Sequence, residues 1–326
     1  MKAILYQKYG DPSVLKLREV NKPEPTEDEL LIRVKAVEVT KTDCEMRSFD
    51  FAVKWFWLPL RLALGFFKPK RQVLGSYFSG EVEAIGKNVT QFSIGDKVFG
   101  SSGFHLSAYA EYISLPSDAS IIKKPELLSF EQASAITLGG INAFHYLQRA
   151  NIQPGEKVLV NGAGASIGSF AVKIAKSLGA EVTAVDSVVK QEMLKKIGAD
   201  HVIDFTQTSF IDSNTKYDVI FDMVAQSSYT GCIQSLKANG RYLSANPTFL
   251  TMLRSMITPM LTDKKVYFSF AQESKECLSQ LVEFITEQGI TPAIDSVVPM
   301  ADIIYAHIRV ETEQRCGIVV LTIDND

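Results

Sequence analysis

Apolar and polar positions change rhythm partway along the chain. In the first 120 residues the apolar positions fall in short runs cut by glycine. Leu31, Arg33, Lys35 and Val37 alternate with Ile32, Val34, Ala36 and Glu38 in a run of strong strand formers. Gly80 to Gly86 and Gly95 to Gly100 predict short strands between glycine turns, and the spacing predicts a small, partly closed β-structure. From about Ser129 the pattern alternates. Ser129 ahead of Glu131 predicts a helix start. Lys157 to Val160 predicts a strand. Ala171, Ile174, Ala175 and Leu178 then recur at helical spacing until Gly179. Strands follow at 181–185, 201–204, 217–222 and 241–244, with a helix over 189–197. This alternation predicts a parallel sheet with helices on both faces. Val266 to Phe270 predicts an edge strand, Ser274 to Gln288 an amphipathic helix, and Gly317 to Ile323 a last strand.

Length and composition narrow the class. At 326 residues the chain has room for two domains of about 150 residues. Hydrophobic residues are 46% and charged residues 22%, as in a globular protein. Lys plus Arg (34) does not exceed Asp plus Glu (37), so no basic excess favours nucleic acid. The four cysteines (Cys44, Cys232, Cys277, Cys316) form no C-x-x-C pair, which argues against a zinc ribbon or a disulfide framework. The opening MKAILYQKYG carries no secretory pattern, and a reducing, cytoplasmic setting is the expectation. Phe51 to Phe67 is greasy, but Lys54, Pro59 and Arg61 interrupt it. A membrane span wants about 20 mostly uncharged residues, so none is expected there.

The candidate chemistry sits between the strand at 157–160 and the helix after it. Asn161, Gly162, Ala163, Gly164, Ala165, Ser166, Ile167 and Gly168 make a glycine-rich turn from strand to helix. Such a turn brings backbone N–H groups and a helix N-terminus to a pyrophosphate. Asp186 follows Gly168 by 18 residues at the end of the next strand, where an acid would accept bonds from adenosine ribose hydroxyls. The same residues also fit a plain tight turn with a helix cap at Asp186.

Several blocks in order resemble the medium-chain dehydrogenase/reductases, in particular the zinc-independent quinone oxidoreductase-like branch. They are MKAILYQKYGDPSVLKLREV, VLGSYFSGEVEAIGKNVTQFSIGDKVFG, PGEKVLVNGAGASIGSFAVKIAKSLGAEV and LKKIGADHVIDF. The resemblance implies an α/β chain: a GroES-like β-rich catalytic domain (1–123 and 271–326) and a Rossmann doubly wound parallel sheet domain (124–270). It further implies a homodimer joined through the edge strand near Val266–Phe270. In the zinc-dependent members the metal is held by Cys, His and Cys or Asp. Those positions fall here at Thr40, Ser76 and near Leu138, none of them a good zinc ligand, so no metal is expected.

On this resemblance NAD(P)H is the cofactor. The expected binding residues are Asp43, Thr137, Asn142, the run Gly162 to Gly168, Asp186, Lys190, Val224, Ala225, Ser244 and Asn246. Asp186 without a nearby Arg leans slightly toward NADH, while Lys190 keeps NADPH in play. Nicotinamide carries the hydride itself. Without a Lewis acid, quinones and activated enones are easier acceptors than simple alcohols are donors, because the electrons they accept are delocalised. Thr42, Ser76 and Tyr77 are the candidates for a hydrogen-bond donor to the acceptor oxygen. Trp55, Trp57 and Phe66 would wall a cavity for a flat, apolar substrate. The competing reading is a dinucleotide-binding protein with a redox-sensing or structural role and no catalysis.

Overall fold

The computed structural model describes residues 1–51, 57–268 and 271–323. The chain divides into two compact units. The first comprises Met1–Thr137, Glu273–Glu283 and Ile294–Asp326, and the second Leu138–Gln272 and Phe284–Ala293.

In the first unit, β1 (Lys2–Leu5) and β2 (Lys16–Glu19) form an antiparallel pair. The long β3 (Glu29–Val39) is the hub of a seven-stranded sheet with β4 (Tyr77–Ile85), β5 (Lys97–Ser101), β6 (Tyr112–Pro116), β7 (Ile121–Lys123), β14 (Ile294–Pro299) and β15 (Ile318–Thr322). The order is β14-β15-β3-β4-β5-β7, with β6 also paired to β3. Leu30, Ile32 and Val34 of β3 are fully buried, in a core with Phe78, Val98, Leu115 and Val319. The predicted alternation holds only from Ile32 to Ala36, where Arg33 and Lys35 are half-buried between buried neighbours; Leu31, expected on the other face from Ile32, is buried as well. In its second half Ala36, Val37, Glu38 and Val39 are all buried, because the strand is covered on both faces.

The helices of this unit are α1 (Lys41–Ser48), α2 (Trp57–Leu64), α3 (Phe130–Ser134), α10 (Ile303–Glu311) and the first turns of α9 (Lys275–Glu287). Ser129 caps α3 as its position predicted, but its capping-box partner is Gln132 rather than Glu131. Because α3 packs on β3 and β4, the first unit runs on to Thr137, beyond the boundary at 123 drawn from sequence.

The second unit has a six-stranded, wholly parallel sheet: β8 (Lys157–Asn161), β9 (Glu181–Asp186), β10 (His201–Asp204), β11 (Tyr217–Asp222), β12 (Leu236–Ser244) and β13 (Lys265–Phe268). Its order is β10-β9-β8-β11-β12-β13. That is the doubly wound order 3-2-1-4-5-6, whose direction reverses between β8 and β11. In such sheets ligands bind beyond the carboxyl ends of the strands at that reversal. The helices are α4 (Thr137–Ala150), α5 (Ser166–Ser177), α6 (Gln191–Lys196), α7 (Tyr229–Gln234) and α8 (Phe249–Leu261). Helix α6 begins at Gln191, because Val188–Lys190 form a separate 3-10 turn. The predicted edge strand is β13; Ser269 and Phe270, at its expected end, lie outside the described residues. No helix among the described residues is long and apolar enough to cross a membrane.

Candidate functional site

In the second unit, the glycine turn joins β8 to α5 at the reversal of strand order. Gly162 has φ +85°, which a side chain rarely adopts. A Cβ on Gly168 would lie 2.3 Å from the Gly162 carbonyl oxygen and 2.5 Å from Ala163 Cα, so only glycine lets the helix pack down on the turn. Ala165 is the N-cap of α5 and offers no side-chain cap, so the first-turn N–H groups keep their capacity for an anion. The Ser166 hydroxyl beside them is buried and has no hydrogen-bond partner.

Asp186, at the end of β9, bends over the turn. One carboxylate oxygen accepts from Gly164 N–H at 2.7 Å. The other accepts from Ser187 N–H at 2.8 Å and pairs with the Lys190 ammonium at 3.1 Å. A carboxylate has about four acceptor sites, so roughly one is left for a ribose hydroxyl. Lys190 is buried too, and its methylene chain lies flat across Gly164, where a Cβ would come within 2.2 Å of Cδ. Asp186 is therefore not a bare anion: a buried ammonium offsets it.

Sequence reasoning missed the hub at the mouth of β11. Asp222 is buried and accepts from Asn161 Nδ2 (2.9 Å), Ser227 Oγ (2.9 Å), Val224 N–H (3.0 Å) and the Tyr242 hydroxyl (2.7 Å). Burial pushes its carboxyl up despite these donors. It ties the end of β8 to the loop after β11 and brings Val224 to the edge of the glycine turn, 3.5 Å from a Cβ built on Gly162. Asn246 is exposed and holds the same loop by donating to the Met223 carbonyl at 2.7 Å. Ser244 is buried, with its carbonyl accepting from Tyr146. Ala225 is half-buried in the same loop. Asn142 spends its amide on Leu138 of its own helix, and the Thr137 hydroxyl is buried without a partner. The glycine turn, Asp186, Lys190 and Val224 are thus gathered at one end of the sheet.

In the first unit, Asp43 is wholly enclosed. It accepts from Thr40 N–H (3.0 Å), Thr40 Oγ1 (2.6 Å) and Gly75 N–H (3.1 Å), and burial raises its carboxyl above the usual range. Asp43 is a capping-box residue of α1 that anchors the start of the 75–77 segment. Thr42 is exposed. Ser76 donates weakly to the Gly103 carbonyl at 3.3 Å. The Tyr77 hydroxyl donates to Glu273 at 2.6 Å, and burial and that carboxylate hold it well above the usual phenol range.

Trp57 and Phe66 are about half exposed, at 44% and 45%. Trp57 packs edge-on to Phe49, and the Arg61 guanidinium lies over the rings of Tyr9 and Phe49 at 4.3 and 4.1 Å. Trp55 lies outside the described residues. At the positions matching the zinc branch, Thr40 is committed to capping α1 and Ser76 to Gly103, while Leu138 carries no ligand atom. Among the described residues no group of three or more His, Cys, Asp or Glu could hold a metal ion. A resident zinc does not fit these residues.

A doubly wound sheet with a glycine turn at its reversal, and a separate β-rich unit split across both ends of the chain, define a two-domain oxidoreductase architecture. Residues 26–126 match the alcohol dehydrogenase GroES-like domain model, and residues 197–321 match the model described as zinc-binding dehydrogenase. Human quinone oxidoreductase is 29% identical over 325 residues, covering 94% of this chain and 93% of that protein. The 2-methylene-furan-3-one reductase of Solanum lycopersicum is 29% identical over 334 residues, covering 98% of this chain and 79% of that protein. The solved quinone oxidoreductase of Coxiella burnetii superposes with a TM-score of 0.86 at 29% identity, covering 99% of each chain. The chain belongs to the medium-chain dehydrogenase/reductase superfamily, in its quinone oxidoreductase-like branch.

Proposed function

We propose that this chain is an NAD(P)H-dependent reductase of quinones or activated enones that works without zinc. One observation carries the reading: an intact dinucleotide turn, with the offset acid Asp186 above it, stands in a chain whose zinc-branch positions are Thr40, Ser76 and Leu138. The names of the relatives, a quinone oxidoreductase and an enone-type reductase, support the same acceptor class. The bound nicotinamide would supply the hydride. The first turn of α5 binds the pyrophosphate, Asp186 takes a ribose hydroxyl, and Asp222 holds the Val224 loop against the turn. Tyr77 is the donor proposed for the acceptor oxygen, and Trp57 and Phe66 offer apolar surface to a flat substrate. Lys190 neutralises the acid that would repel a 2′-phosphate, so the preference for NADH is slight and NADPH is accepted.

The chain is further read as a homodimer joined at β13, the last strand of its sheet. Helix α8, next to it, exposes Phe249, Leu253, Met256, Ile257, Met260 and Leu261 along one side, with Met260 82% exposed. An apolar stripe of that size on a lone protomer marks a contact surface.

Oxidation of NADH and NADPH at 340 nm, by chelator-treated protein with a quinone and with an enone, tests the reading. Turnover is the expected result. Coenzyme binding without turnover over a broad acceptor panel favours the non-catalytic, redox-sensing alternative. Failure to bind either coenzyme refutes both.

A further inference from the structure

From Phe51 to Gly80 the sequence holds Lys54, Arg61, Lys68, Lys70 and Arg71 and no acid, in a chain whose net charge is −3. Within this stretch the polarity of α2 is inverted. Its one cation faces inward, where the Arg61 guanidinium lies over the Tyr9 and Phe49 rings. Its outward face is apolar. Leu58 and Leu62, one turn apart, are both more than half exposed, and Pro59 and Ala63 are exposed beside them.

The helix is pinned from behind. The Tyr9 hydroxyl donates to the Gly65 carbonyl at 2.8 Å. Lys70 donates twice to the end of α2, its N–H to the Leu64 carbonyl and its ammonium to the Leu62 carbonyl, each at 2.8 Å. Gly65, at φ +123°, turns the chain there; a Cβ on it would lie 2.0 Å from the Lys68 carbonyl oxygen. Phe66 and Phe67 follow with their rings edge-on, centroids 5.0 Å apart, and Phe67 is 89% exposed. Lys68 and Arg71 are exposed, and neither pairs with an acid among the described residues. Lys70 keeps two of its three ammonium protons for an outside acceptor.

An uncharged apolar face with aromatic rings at its margin and cations behind it matches the boundary of a bilayer. Trp and Phe sit at headgroup level, leucines reach the acyl chains, and Lys and Arg meet anionic headgroups. A protein partner fits less well, because lysine is depleted from interfaces between proteins. At eight residues α2 can lie on a membrane and cannot cross one. We propose that the outward face of α2, with Phe67 and the cations Lys68, Lys70 and Arg71, docks this protein on the surface of an anionic lipid bilayer. Leu58, Leu62 and Phe67 enter the headgroup–acyl boundary, and the cations stay among the headgroups. Two turns of helix make a weak anchor, so binding is reversible and needs both the apolar and the charged contribution. It does not rest on the reductase reading, and quinone or enone turnover plays no part in its test.

Flotation of the full-length protein with phosphatidylcholine vesicles, either pure or containing about 30% phosphatidylserine, makes the test. The chain's two tryptophans are Trp55 and Trp57, so tryptophan emission reports on this segment alone. The protein is expected to float with the serine-containing vesicles and to shift its emission to the blue. Binding should be at least about tenfold weaker on pure phosphatidylcholine, or in about 0.5 M salt. L58Q/L62Q/F67Q should weaken it at least about tenfold. K68Q/R71Q should weaken it about 25-fold, which is about fivefold for each cation. Melting temperature and coenzyme Kd should stay at wild-type values in both. Where the apolar triple variant proves unstable, K68Q/R71Q, at two wholly solvated positions, decides. The proposal is overturned if folded wild type ignores the serine-containing vesicles, if the folded variants bind as wild type does, or if binding is equal on pure phosphatidylcholine and indifferent to salt. A wild type that ignores vesicles, and whose mass by light scattering halves in L58Q/L62Q/F67Q, gives this face to a second copy of the chain and overturns it too.

Discussion

Asp186→Asn probes the dinucleotide turn most directly. In the native pair the side chains of Asp186 and Lys190 are only 9% and 3% exposed, with 3.1 Å between the charges. Removing one charge of a buried pair leaves the other uncompensated, which costs about 3–5 kcal/mol. The amide carries a second penalty. Its single oxygen can serve Gly164 N–H or Ser187 N–H, and its N–H₂ group then confronts the other donor. An unsatisfied buried amide adds about 1–3 kcal/mol. A total of about 4–8 kcal/mol follows for the second unit. With a urea slope of about 2 kcal/mol/M, its unfolding midpoint should fall by about 2–4 M. Lys190→Met should cost less, about 1–3 kcal/mol, because Asp186 keeps both amide donors and the thioether fills the space over Gly164. The double variant D186N/K190M should lose clearly less than the sum of the two, since no buried charge survives. Urea denaturation followed by fluorescence, with all four proteins in parallel, gives the coupling directly. An Asp186→Asn loss below about 1 kcal/mol would show the pair to be solvated and would refute the account of how this turn is held.

Other consequences are equally open to measurement. Lys190→Met also unmasks the Asp186 charge, so the Kd for NADPH, by fluorescence titration, should rise about tenfold relative to that for NADH; an unchanged ratio contradicts the offset-acid argument. Gly168→Ala sets a methyl 2.3 Å from the Gly162 carbonyl, so both coenzymes should bind at least tenfold more weakly, with a melting temperature several degrees lower; tolerance of the methyl would mean that helix α5 does not sit so close. Met260→Glu on α8 should yield monomers by light scattering if the stripe is a subunit contact, and an unchanged mass excludes that surface. His307 is wholly buried and its imidazole is pushed down to about 3 by burial and by the Arg47 charge. The unfolded chain binds this proton below about pH 6.5 while the folded one does not. His307 thus withdraws about 1.4 kcal/mol of stability per pH unit as pH falls from 6.5 toward 3, on top of whatever the carboxyls do. The stability difference between wild type and His307→Gln should track that slope; parallel curves would show that the imidazole is protonated inside the fold.

What the sequence disclosed of this fold was whatever short-range pattern encodes. The β8–turn–α5 unit is legible because strand, glycines and helix are contiguous, and Asp186 because one helix and one strand separate it from the turn at a near-fixed distance. Helix α8 was not legible. Its apolar residues face outward, Pro259 interrupts it, and the inward face it buries includes Ser255, so the usual relation between hydrophobicity and burial is inverted. The Lys190 contact was only half visible, as a charge near an acid, with nothing in the spacing to say that its stem would lie across Gly164. Asp222 looked like an ordinary strand end, since its donors Asn161 and Tyr242 come from strands 61 residues before it and 20 after it.

The least legible feature bears most on chemistry. Tyr77 is a candidate from its own segment, but its partner Glu273 is 196 residues away in a segment with no motif at all. Only the folding of the last third of the chain back onto the first unit brings the two together. Ser101 donates to the same carboxylate and Ser120 to the Glu273 carbonyl, so three residues from the first 120 converge on one residue near the far end of the chain, a convergence that no short-range spacing encodes.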